Sequence, residues 1–135
     1  MTSEPEWLTE DAARSIHEYQ LEEHGGRDGV RDENLLLSAL NAPEASWAYG
    51  DPKPDLSDLA AVYASRIIRN HPFIDGNKRT GVVLAETFLM VNGFVVTGSD
   101  EDIYSLTILL AENRLDEAEL AVWYRGNSER LIPHM

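Results

Sequence analysis

Within residues 71–79, His71-Pro72-Phe73-Ile74-Asp75-Gly76-Asn77-Lys78-Arg79, an imidazole is followed by a carboxylate, a glycine, an amide and two cations. These side chains suit the handling of a phosphate. His71 belongs to the residue type whose unperturbed pKa lies near neutrality, so it can take the proton of a hydroxyl nucleophile as that hydroxyl attacks phosphorus. Asp75 is placed to hold Mg²⁺, an ion that takes one or two carboxylates and completes its shell with water and phosphate oxygens. Gly76 lets the backbone approach an anion, and Asn77 offers an amide that can cap a helix or donate to an oxygen. Lys78 and Arg79 fall in the first turn of a helix, where they meet the positive end of its dipole. Two cations there imply that something negative sits among them. Pro72 restricts the turn, and Phe73 reads as an apolar anchor pointing into the core. Each type alone is commonplace, so it is the joint arrangement that is specific. His17, His24 and His134 lack such company and read as structural. No histidine spacing suits zinc, and there is no G-x-x-x-x-G-K-[ST] loop.

Such a loop must be carried between two helices. Before it, Leu56, Leu59, Ala60, Tyr63 and Ile67 recur at helical spacing with Asp55 or Ser57 as cap, which predicts a helix over 57–69. After it, a helix from Asn77 or Lys78 to Asn92 is apolar nearly all round, which predicts a central buried helix closed by Gly93. Upstream, Thr9 caps a helix over 10–24 that stops at Gly25-Gly26, and Asp32 caps a short helix ended by Asn41-Ala42-Pro43. Residues 43–54, with three prolines and a glycine, read as an exposed flap with room for a small hairpin. Downstream, 94–97 reads as a strand, Ser99 and Asp116 cap a fifth and a sixth helix, and the chain runs loose from Asn127 to Met135. The class is all-α, about six helices in one domain over 1–135 with its core at 9–126.

Bulk composition narrows the partners. With 24 acidic against 11 basic residues the net charge is −13, a field that repels nucleic acid and anionic membrane and favours a protein or small-molecule partner. The absence of cysteine fits a cytoplasmic location. The acidic opening is not a secretory signal, and the apolar stretch 81–96, interrupted by Glu86, Thr87 and Asn92, is too short to span a bilayer.

Residues 71–79 resemble the Fic motif, histidine-proline-phenylalanine-x-acid-glycine-asparagine-glycine-arginine, and Asn77-Lys78-Arg79-Thr80 is similar to its Doc (death on curing) branch. Ile16-His17-Glu18 followed by Gly25-Gly26, and the helix closing at Asn92-Gly93, extend the likeness over most of 10–126. The resemblance implies a Fic fold with a short β-hairpin flap at 43–54, His71 as general base, Asp75 as Mg²⁺ ligand, and Gly76, Asn77, Lys78 and Arg79 holding the phosphates of ATP. Fic enzymes transfer AMP to a protein hydroxyl, whereas Doc toxins are kinases that phosphorylate a threonine of elongation factor Tu and arrest translation. Lys78 stands where the AMP-transferring pattern has glycine, and Val82 where it has a second arginine; both point to Doc. Pro72 and Gly76 are Fic-like, which keeps AMP transfer as the alternative, with a catalytically silent binding module as a third reading. Thr107 and Glu112-Asn113 miss the spacing of the self-inhibitory Fic motif by one residue. Inhibition in trans is therefore expected, and the resemblance to Doc implies a Phd-like antitoxin whose tail folds as a helix on the toxin.

Overall fold

A computed structural model describes residues 3–131, which form six helices and one two-stranded antiparallel sheet. The elements are α1 (Glu10–His24), α2 (Glu33–Tyr49), α3 (Leu56–Asn70), α4 (Asn77–Val91), β1 (Phe94–Val96), α5 (Asp100–Ala111), α6 (Glu117–Gly126) and β2 (Ser128–Arg130). The all-α class holds. Side-chain oxygens of Thr9, Asp32, Asp55, Ser99 and Asp116 cap α1, α2, α3, α5 and α6, each accepting a first-turn backbone N–H that the helix cannot satisfy itself. Asp58 and Glu119 return the favour in two capping boxes.

The central helix is α3 and not, as the apolar run suggested, α4. Leu59 through Ser65, with Ile67 and Ile68, are all buried, so α3 is covered on nearly every side by α2, α4, α5 and α6. α4 buries only a stripe, Asn77, Thr80, Gly81, Leu84, Ala85, Phe88 and Leu89, and leaves Met90 and Val91 exposed at its end. Gly81 is where the two helices come closest: a Cβ there would lie 3.0 Å from the Ala64 carbonyl oxygen. Apolar composition alone overstated how enclosed α4 is, because some of its valines line a cleft rather than the core.

Four further expectations are corrected. Pro43 does not end α2; the helix runs through it to Tyr49. A proline removes one backbone donor and crowds the carbonyl four residues back, but the Pro43 ring is buried, and the turn beyond it carries Trp47 onto Trp7 at a centroid distance of 6.3 Å. That packing holds the last turns helical. Residues 43–54 are therefore mostly helix with a short loop, pinned where Lys53 lies over the Trp47 ring and donates to the Trp47 carbonyl (2.8 Å). The small sheet lies elsewhere, between β1 and β2, with Phe94 opposite Arg130 and Val96 opposite Ser128. It also takes up a segment expected to be loose: 128–130 pair with β1, and only the end of that tail, 132–135, falls outside the described residues. At the other end the core begins before residue 9. Trp7 stacks on Phe88 (5.9 Å), and the Leu8 N–H donates to the Tyr63 hydroxyl (3.1 Å), whose own pKa burial pushes up to about 12.

Candidate functional site

The loop between α3 and α4 is held on every side. His71 closes α3 in the left-handed region (φ 51°, ψ 52°), a conformation costly for a residue with a Cβ, and so leaves its imidazole exposed at the surface. The guanidinium of Arg31 supports this turn, with Nε donating to the His71 carbonyl (2.7 Å) and Nη2 to the Asn70 carbonyl (2.9 Å). A cation is favourable at the C-terminal end of a helix dipole. The Arg31 and Asp32 N–H groups both donate to the Pro72 carbonyl (2.6 and 3.1 Å), and the Ile74 N–H donates to the Gly29 carbonyl (3.0 Å), so the α1–α2 connection forms a short bridge with the loop.

Phe73 is fully buried, as expected of an anchor. Asn77 is not free for a ligand. It is 4% exposed; its Oδ1 accepts from the Phe73 N–H (3.0 Å) while Nδ2 donates to the Phe73 carbonyl (3.0 Å) and faces His71 Nδ1 at 3.1 Å. Since Phe73 fixes which end of the amide faces it, Nδ1 of His71 accepts and the neutral ring carries its proton on the outward Nε2. The amide expected to bind phosphate instead ties the loop to the start of α4, although its backbone N–H remains at the helix start.

Gly76 opens α4 at φ 80°, and α4 alone among the helices has no side-chain cap. A Cβ at Gly76 would meet Leu21 at 3.5 Å and His17 at 3.6 Å, ordinary contacts, so glycine is required there by the backbone angle and not by crowding. Asp75 is exposed. Its carboxylate accepts from the Arg27 N–H (3.2 Å) and the Gly76 N–H (3.1 Å), and these donors hold it below the usual carboxylate range. Among the described residues no three His, Cys, Asp or Glu side chains cluster as a metal cage. A single carboxylate nonetheless suits Mg²⁺, which fills its remaining positions with water and phosphate oxygens.

The cations sort themselves. Arg14, Arg66, Arg114 and Arg125 form ion pairs with acidic residues. Arg31, Lys53 and Arg69 donate to carbonyls, and Arg130 lies over the Phe94 ring. This leaves Arg27, Lys78 and Arg79, all beside the loop, whose side chains donate to no partner among the described residues. Lys78 and Arg79 open into a cleft of about 400 Å³ between α1, α4 and α5, with Val82 on its wall and Glu86 and Asp100 further along. Burial, with the Asp100 charge beside it, raises the pKa of Glu86.

Two residues that contribute to this geometry were not singled out as functional in the sequence. Arg31 carries no sequence signal that separates it from a solvated cation. His17 does: with Ala13 and Gln20 it falls on the buried stripe of α1, where a histidine needs a partner.

A model of the Fic/DOC family matches residues 7–89. The chain is 40% identical over 96 residues to Toxin Doc of Mycolicibacterium smegmatis (strain ATCC 700084 / mc(2)155), covering 71% of this chain and 73% of that one. It is 30% identical over 107 residues to Protein kinase doc of Escherichia phage P1, covering 79% and 83% respectively.

Proposed function

As the chain belongs to the Fic/DOC family, we propose that it is a Doc-type toxin kinase, transferring the γ-phosphate of ATP to a threonine hydroxyl of a protein, elongation factor Tu, and so arresting translation. The observation that carries this reading is the pairing of an exposed imidazole with an uncapped helix start flanked by unpaired cations in a protein of net charge −13. The hydroxyl oxygen attacks the γ-phosphorus, the bond from that phosphorus to the bridging oxygen breaks, ADP leaves, and His71 accepts the hydroxyl proton. In the resting geometry Nε2 carries a proton, so base catalysis uses the other neutral tautomer, which the exposed ring reaches by giving up its Asn77 contact and exchanging the proton with solvent. Lys78, Arg79 and the first N–H groups of α4 stabilise the phosphoryl oxygens, and the cleft beyond them takes the rest of the nucleotide. Asp75 would hold Mg²⁺, which when bound supplies charge neutralisation between the phosphates.

Val82 and Lys78 favour kinase over AMP transfer. Val82 gives the cleft an apolar wall where a second guanidinium would clamp a phosphate, and Lys78 adds bulk and charge to its floor. The names of the two relatives support the toxin and kinase halves of the reading. A Phd-like antitoxin is the corresponding partner, acting in the cytoplasm. Incubation of elongation factor Tu with ATP labelled at the γ or the α phosphate tests the proposal: γ label on a threonine is expected, whereas α label alone establishes AMP transfer. If neither label is transferred and the His71→Ala variant remains as toxic as the parent, the protein acts by binding.

A further inference from the structure

His17 lies beneath the loop, 3% exposed, on the face of α1 turned toward α4. Its ring is flat against Phe73, with centroids 3.8 Å apart and planes 9° from parallel, and its Nε2 is 2.8 Å from the Asp75 carbonyl oxygen. A carbonyl can only accept, so Nε2 carries the proton and donates. That oxygen shares one rigid peptide plane with the Gly76 N–H, which donates from the opposite side to Asp75 Oδ1 at 3.1 Å. Holding the oxygen therefore fixes the direction of the amide, the left-handed turn at Gly76 and the side chain of Asp75 together.

We propose that His17 is a positioning residue: its Nε2–H sets the Asp75–Gly76 peptide, and through it the Asp75 carboxylate and the opening amides of α4, for the phosphates of the nucleotide. The inference rests on the phosphate-transfer reading above. The two contacts of the ring divide the work. Stacking on Phe73 stabilises the fold, and the Nε2 donor orients the site. Two variants separate them, since His17→Phe keeps an aromatic ring on Phe73 without a donor, and His17→Gln keeps a donor at the place of Nε2 without the ring.

In ¹⁵N-labelled protein, the long-range histidine spectrum should give His17 in the Nε2–H tautomer, and the amide of Gly76 should move in His17→Phe more than in His17→Gln. Calorimetric titration with ATP and Mg²⁺ should show the dissociation constant rising about tenfold or more in His17→Phe, the usual scale for losing a group that orients a metal ligand. His17→Gln should stay within about twofold of the parent by the same reasoning, though with a lower thermal midpoint. An Nδ1–H tautomer, or parental nucleotide affinity in a folded His17→Phe, overturns the inference. Should His17→Phe not fold, His17→Gln decides: parental affinity upholds the donor role and a tenfold loss overturns it. The parent, assayed alongside for γ-label transfer, keeps the two claims apart, because no γ label from the parent refutes the kinase reading whatever His17 does, whereas transfer at the parental rate by His71→Ala removes only the base role of His71.

Discussion

Replacing Asn77 by alanine separates a residue that holds ligand from one that holds the loop. The side chain makes one hydrogen bond from Phe73 N–H, one to the Phe73 carbonyl and one toward His71 Nδ1, at 3.0, 3.0 and 3.1 Å. His71 is exposed, and water replaces that contact at little cost. Phe73 is fully buried, so its N–H and C=O would be left without partners. Each such group costs about 1–3 kcal/mol, and since the two adjoin and one water can serve both in part, the low end of the range, about 2–3 kcal/mol together, is the reasonable figure. Unfolding entropy of about 2.1 cal/mol/K per residue over 135 residues converts each kcal/mol to about 3.5 °C. Asn77→Ala should thus lower the thermal midpoint by about 7–11 °C, read by calorimetry without nucleotide. Asn77→Asp should do no better, because the oxygen replacing Nδ2 would face the Phe73 carbonyl. An unchanged midpoint combined with weakened ATP binding would refute this reasoning and return the Asn77 amide to the phosphates.

The other predictions can be checked on the same purified protein. His71→Gly should abolish label transfer yet raise stability by about 0.5–1 kcal/mol, since glycine adopts the left-handed angles of position 71 without the Cβ penalty; a lower midpoint would show that the imidazole itself holds the turn. Ser65→Ala should cost nothing, because the Ser65 hydroxyl is buried without a partner among the described residues; a loss of more than about 1 kcal/mol would reveal a bond to it. Glu86 has its folded pKa raised by burial and by Asp100, so the folded state holds that proton more tightly than the unfolded chain does. Its stabilising contribution is complete below the unfolded value, about pH 4.3, and is lost as pH climbs through the raised folded value. The midpoint of Glu86→Gln should therefore gain on the parent as pH rises above that unfolded value, and a pH-independent difference would contradict the assignment.

Elements whose ends are written in short-range chemistry were readable. Thr9, Asp32, Ser99 and Asp116 marked their helix starts, and Asp55 was one of two candidates beside Ser57, because a cap needs only a side-chain oxygen beside free N–H groups. What depended on distant partners was not. Pro43 carries a strong local stop signal, overruled by the burial of its own ring and by Trp47 meeting Trp7, a residue far off in sequence. The pairing of 128–130 with β1 is equally non-local, and a three-residue strand has no period to detect. Hydrophobicity identified α4 as apolar but could not tell a wall facing a cleft from one facing the core, so α3, with its own polar residues Arg66 and Arg69 at the margin, took the centre instead.

The candidate site was legible as a set of side chains but not in the division of labour among them. A motif rich in polar groups invites the reading that all of them face the ligand, yet a loop that buries one of its residues must first satisfy that residue's backbone. Phe73 is driven inward by its ring and carries a backbone N–H and C=O with it, and Asn77 is the polar side chain that answers both. The Asp75 carbonyl makes the same demand and is met by His17, a residue that composition would leave in the core. The cations show the converse. In a chain with 24 acidic residues most of them find a carboxylate or a carbonyl, and Lys78 and Arg79 remain unmatched at a helix start that repels them. On the proposed reading these two cations are matched by the phosphates of the bound nucleotide, which supply several negative oxygens at one helix start.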